Sequence, residues 1–267
     1  MRRVGYPDGL FVVDRPADRA RSHDDRSPSP DPVVVLVHGT LDRANSFRRV
    51  KRRLEDVRVV TYDRRGYQDS RGDSAPVGVD GHIDDLVGVL REIGERTVVV
   101  GHSLGGLVAL GAAAAEPERI AAVGAFEPPI RWIPVEDLEG AWDWTPGDDP
   151  GAAVEAFFRR HVGDDAWNRL EPAARQNRMA EGPALLAELA SLGDDALFEL
   201  SGLSVPVVFG CGARSDDFRK SNVAWLVQHV PGAQGIEIPD AAHGAHLSHP
   251  NAFAEFVRAV IARGAAH

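Results

Sequence analysis

Residues 99–108 read Val-Val-Gly-His-Ser-Leu-Gly-Gly-Leu-Val, with Gly101-His102-Ser103-Leu104-Gly105 at the centre. A β-branched run from Thr97 to Val100 feeds the pentapeptide, and a small-residue stretch from Leu104 to Ala115 leaves it. This passage from apolar strand to helix is what gives the Gly-x-Ser-x-Gly pattern its meaning. A serine on a tight strand-to-helix turn takes a strained backbone, and flanking glycines let neighbouring chain approach without a Cβ clash. Such a turn exposes the Ser103 hydroxyl and aims the N–H of Leu104 at a reacting oxygen. Ser103 is therefore the candidate nucleophile.

Outward from this turn the chain alternates strands and helices. Leu10 to Val13 reads as an early strand, and Val33 to Val37 as a continuous β-branched run ending in His38-Gly39-Thr40. A helix is predicted over about 43–54 and a strand over 57–62; a second helix near 82–93 has Ile83, Leu86, Val87 and Leu90 on one face. Ile120 to Phe126 follows the serine turn as another strand. The pattern resumes at Val205 to Gly210, with a helix at about 218–230, a strand at 235–238 and a terminal helix from 250. Near-continuous Val/Ile runs between amphipathic helices predict a mostly parallel α/β sheet covered on both faces.

Between about 130 and 203 the strand pattern stops. Helices are expected at 151–162, 166–180 and 183–200, and Trp132, Trp142, Trp144, Trp167, Phe157 and Phe158 fall in or beside them. The expected organisation is a core of residues 1–130 and 204–267 with a helical cap, 131–203, inserted between two core strands. The cap aromatics would fill its own small core, form an apolar pocket over Ser103, or do both. Residues 14–32, charged and rich in Pro and Ser, read as an exposed loop.

A length of 267 residues, with 43% hydrophobic and 26% charged residues, fits a soluble globular chain with a sizeable core. The net charge of −10 disfavours nucleic acid or an anionic membrane as the main partner. The basic run from Arg48 to Arg53 reads as the solvated face of a helix, with Phe47, Val50 and Leu54 turned inward. Cys211 is the single cysteine, so an internal disulfide and cysteine-rich metal sites are ruled out. Arg2 and Arg3 precede a turn signal and no apolar run follows them, so a signal peptide is not expected, nor a transmembrane segment; the expected location is the cytoplasm.

With these elements in order, the chain resembles the α/β-hydrolase superfamily over nearly its whole length. The matching segments are Val-Leu-Val-His38-Gly39-Thr40, Tyr62-Asp63-Arg64-Arg65-Gly66-Tyr67, the serine turn, and Ala242-His243-Gly-Ala-His246-Leu-Ser-His249-Pro. The resemblance implies that Ser103 is the nucleophile of a helical-capped serine hydrolase. Its oxyanion would be held by the N–H groups of Leu104 and Thr40, Leu41 lying one residue off. His38 would support that loop. The base would be His243, with His246 in reserve, while His102 would face away from the site.

The acid has two possible homes. In most of the superfamily it follows the strand that here ends near Phe209-Gly210, yet the downstream run offers Ala213 or Ser215 where the carboxylate belongs, with Asp216 and Asp217 just beyond. In some members, haloalkane dehalogenases among them, it follows the strand after the nucleophile. Glu127 stands there, 24 residues past Ser103, and a carboxylate ending an apolar strand needs a partner such as His243. A dehalogenase activity fails at Ser103, since those enzymes use a carboxylate nucleophile. Gln68 departs from the usual glycine in its loop, with small consequences expected.

The expected reaction is hydrolysis of a small or medium apolar carboxylic ester, or a lactone, through an acyl-enzyme on Ser103, without cofactor or metal. Carbon–carbon or amide hydrolysis on the same site, and a ligand-binding protein that retains the triad, are the alternatives. Three-residue spacing of His243, His246 and His249 could suggest metal ligands, but no carboxylate or cysteine pattern accompanies it.

Overall fold

The computed structural model describes residues 10–17, 32–72, 75–135 and 147–267. Seven strands form one sheet: β1 (Phe11–Arg15), β2 (Val33–Val37), β3 (Arg58–Asp63), β4 (Thr97–His102), β5 (Ile120–Phe126), β6 (Val207–Gly212) and β7 (Gln234–Ile238), in the order β1-β3-β2-β4-β5-β6-β7. The edge strand β1 runs antiparallel to β3, and every other pairing is parallel. The fold is the expected mostly parallel α/β sheet flanked by helices on both faces.

Strand alternation sorts the apolar side chains into two layers. Val33, Val35, Val37 and Val99 face one cluster, under α2 (Val79–Ile93), α3 (Leu104–Ala115) and α8 (Asp217–His229). Val34, Leu36, Val98 and Val100 face the other, under α1 (Arg48–Lys51), α9 (Ala245–Ser248) and α10 (Pro250–Ala265). Because both faces are covered, β2 is buried at all five positions, which is why it reads as an unbroken apolar run. Phe47, Val50 and Leu54 are fully buried while Arg48, Arg49, Arg52 and Arg53 are exposed.

Between β5 and β6 lie α4 (Pro150–Val162), α5 (Asp164–Asn168), α6 (Pro172–Met179) and α7 (Gly182–Ser191). The single helix expected over 166–180 is broken at Glu171, because Pro172 lacks the N–H that a continuing helix would use and opens a new one instead. The helix expected over 183–200 ends at Ser191, ahead of Gly193-Asp194-Asp195. Ala153, Val154, Phe158, Trp167, Ala184 and Leu185 form a third cluster, and Leu41 and Tyr67 from the sheet side complete it. Trp132 instead packs edge-on against Phe198 beside the main core. Trp142 and Trp144, and most of the 14–32 loop, lie outside the described residues. Among the described residues no helix is long and apolar enough to cross a membrane.

Candidate active site

Ser103 joins β4 to α3 with φ 52 and ψ −126, a left-handed backbone that a serine adopts only under constraint. The constraint is close packing. A Cβ on Gly101 would stand 2.0 Å from the Gly105 carbonyl oxygen, and one on Gly105 would stand 2.2 Å from that of Val37. Gly39 presses on the turn from the next strand, since a Cβ there would lie 2.9 Å from the Ser103 Cβ. The three glycines let the His38-Gly39-Thr40 loop lie directly against the serine turn. Leu104 opens α3, where a first-turn N–H has no partner within the helix.

Of the three candidate carboxylates, Glu127 is the one bonded to His243: its Oε2 lies 2.6 Å from Nδ1. Its other oxygen, Oε1, accepts from the Gly212 N–H at 2.8 Å and the Ser215 hydroxyl at 2.5 Å. Ser215, in the loop after β6, thus supports the carboxylate that reaches in from β5. Glu127 takes φ 47 just past the end of that strand, and its side chain is fully buried. Asp216 instead caps α8, accepting from the Arg219 N–H at 2.8 Å and pairing with its guanidinium. Asp217 points out to Lys220. Burial, then the Arg219 charge, hold the His243 imidazole well below the ordinary histidine value.

His102 does not turn away from the site. Its Nε2 donates to the His243 carbonyl at 2.7 Å, and its ring packs 4.6 Å from that of His243 and 4.2 Å from that of His246. The residue beside Ser103 therefore braces the loop that carries His243. His246 is buried and meets Asp42 Oδ2 through Nε2 at 3.1 Å, away from Glu127. His249 meets the Ser248 hydroxyl on the exposed surface, so residues 243, 246 and 249 do not converge.

Among the described residues, the set with donor atoms near enough to share a metal is Asp42, His102 and His246, within 4.8 Å of one another. Their Nε2 atoms bond the His243 carbonyl and Asp42 Oδ2, which ties this cluster to the loop carrying His243. Burial raises the Cys211 thiol to about 11, so it stays protonated and does not compete as a nucleophile.

A second polar cluster, not anticipated from the sequence, lies beside the Thr40 loop. Glu188 on α7 is completely buried; its Oε1 accepts from Arg64 Nη1 at 2.6 Å and from His82 Nε2 at 2.9 Å, and its Oε2 from the Thr40 hydroxyl at 2.8 Å. Burial and the Arg64 charge hold His38 neutral, down to about 3; its Nδ1 donates to the Gly39 carbonyl and its Nε2 accepts the Arg64 N–H. The detectable signal was a lone glutamate among Leu185, Leu186 and Leu189 on one apolar helix.

A model of the alpha/beta hydrolase family matches residues 34–256. The chain is 28% identical, over 84% of its length and 92% of the relative's, to the pimeloyl-[acyl-carrier protein] methyl ester esterase of Pectobacterium carotovorum. A shorter match, 40% identical over 37% of this chain and 32% of the relative, is to epoxide hydrolase A of Mycobacterium tuberculosis. The crystal structure of the enol-lactonase from Burkholderia xenovorans LB400 superposes with a TM-score of 0.71 at 21% identity, covering 97% of this chain and 100% of that one.

Proposed function

The chain belongs to the alpha/beta hydrolase family, and on that premise we propose that it cleaves a small or medium carboxylic ester or lactone through an acyl-enzyme on Ser103. One observation carries the reading: the Glu127–His243 hydrogen bond, in a loop tied to His102, the residue beside Ser103. Glu127 holds the imidazole tautomer with Nδ1 protonated, so Nε2 is free to take the Ser103 proton. The alkoxide attacks the ester carbonyl, and the N–H groups of Leu104 and Thr40 hold the oxyanion; one such donor is typically worth about 3 kcal/mol of barrier. The leaving alcohol departs with the proton from His243, and water activated by the same base releases the acid.

Residues 131–203 serve as the cap in this proposal, their apolar cluster favouring a compact, apolar acyl group over a polymer. A relative that acts on a methyl ester supports a small leaving alcohol. No cofactor is needed, because serine, base and oxyanion donors supply the chemistry. With a net charge of −10, the enzyme is further proposed to act in the cytoplasm on a dissolved small molecule, without nucleic acid or membrane as partner.

The test is hydrolysis of a chain-length series of p-nitrophenyl esters by wild type and Ser103→Ala, with circular dichroism to verify folding. Wild type should turn over, and Ser103→Ala should lose at least about 10⁴-fold in kcat. A folded Ser103→Ala that keeps its activity overturns the nucleophile. A wild type that cleaves no ester and is not labelled by a fluorophosphonate turns the reading towards a ligand-binding protein.

A further inference from the structure

The loop carrying Thr40 is held by the helical segment between β5 and β6. Glu188 on α7 accepts from the Thr40 hydroxyl at 2.8 Å. The Arg178 guanidinium, at the end of α6, donates to the Leu41 carbonyl, and Arg43 meets Glu181 at 3.4 Å. The Leu41 side chain lies in the apolar cluster of α4, α5 and α7. Leu41 also has φ 52, a left-handed backbone that leucine keeps only where its surroundings over-determine it.

The sheet side is fastened to the same carboxylate. Arg64 donates to Glu188 through Nη1, to the Gly39 carbonyl through Nη2 at 2.9 Å and to the His38 carbonyl through Nε at 2.9 Å. Arg64, His82 and Glu188 are all 0% exposed, so water does not compete for these bonds. Gln68 adds a parallel tie: its own left-handed backbone, φ 42, is matched by an N–H bond to Glu181 at 3.2 Å.

We infer that Glu188 is a positioning residue for the reaction, fixing through the Thr40 hydroxyl the direction of the Thr40 N–H towards the oxyanion. This rests on the proposed ester hydrolysis. Helix α7 is then part of the oxyanion site, and swinging it away would dismantle the donor.

The experiment compares Thr40→Val, which keeps shape and N–H but lacks the hydroxyl, with Thr40→Ser, which restores it. Kinetics on p-nitrophenyl esters, affinity for a boronic acid that forms a tetrahedral serine adduct, and thermal midpoint are measured for each. Thr40→Val should lower kcat roughly 10–100-fold, with KM within about twofold and boronate affinity falling in parallel, because a misaimed donor weakens only the tetrahedral state. Thr40→Ser should return to within about threefold of wild type in kcat, the margin left by a nearly intact donor. A folded Thr40→Val with wild-type kcat overturns the inference, as does a kcat loss that Thr40→Ser does not recover. If wild type itself neither turns over nor reacts with a fluorophosphonate, the hydrolase reading has failed; active wild type with equally active Thr40→Val defeats the positioning alone.

Discussion

Two buried glutamates flank the serine turn, and they are bonded alike. Glu127 holds a histidine and a serine hydroxyl; Glu188 holds a histidine and a threonine hydroxyl. The difference is what balances the charge. Glu188 sits 2.6 Å from a fully buried arginine, which with His82 holds its carboxyl down at about 2 despite burial. Glu127 has no guanidinium so near: Arg219 stands 3.8 Å away and its guanidinium is already paired with Asp216. In the proposed reaction its negative charge would stabilise an imidazolium forming on His243. In that reaction the less neutralised Glu127 would serve His243, and Glu188, neutralised by Arg64, would position the Thr40 loop.

That contrast breaks first at Glu127. Glu127→Gln keeps the shape, and its amide oxygen still accepts from Gly212 and Ser215, but it no longer stabilises the imidazolium or fixes the tautomer. We expect kcat to fall about 10³–10⁴-fold with the fold retained. Asp216→Asn keeps a capping side chain on α8 and should change kcat by less than about threefold, since an Asn cap is nearly as good as Asp. Steady-state kinetics on the two proteins checks this, and the opposite ranking would move the acid to the β6 loop.

Glu188 should fail differently. Glu188→Ala leaves Arg64 charged and buried without its partner, which should cost about 3–5 kcal/mol of stability. Replacing both members, Arg64→Met with Glu188→Leu, removes the orphaned charge and should recover most of that loss in a denaturant titration. Turnover should not recover with it, because the Thr40 hydroxyl still has no acceptor. A double variant that regains both stability and kcat would make Glu188 purely architectural.

The two glutamates also differ in how far they could be read from the chain. The sheet was legible because burial on both faces makes β2 and β5 apolar throughout and leaves β4 an apolar run between Thr97 and His102. Glu127 was legible as the charge that ends an apolar strand, and Ser215 as a misfit where an acid is usual. Glu188 showed only as a charge on an apolar helix, and its partners did not show, because its bonds span 106, 124 and 148 residues, to His82, Arg64 and Thr40, and local periodicity carries no information across such separations. His102 was misjudged for the same reason: its partner, the His243 carbonyl, is 141 residues away and is backbone. Backbone acceptors leave no mark on sequence.

The smallest expected effect tests the charge left open at Glu127. In the proposed reaction His243 must be neutral to accept the Ser103 proton, so kcat/KM should rise with pH through its pKa. Burial, then Arg219, lower that pKa, so the acid limb of the profile should lie below the ordinary histidine value of 6.5, with activity persisting into mildly acidic buffer. Arg219→Gln removes a positive charge that disfavours the imidazolium; the pKa should rise and the acid limb should move to higher pH, with little change on the plateau. The guanidinium is partly exposed, 25% by side chain, so solvent screens it and the shift should shrink further as salt is added. A limb that stays fixed in Arg219→Gln would mean that desolvation alone lowers the His243 pKa.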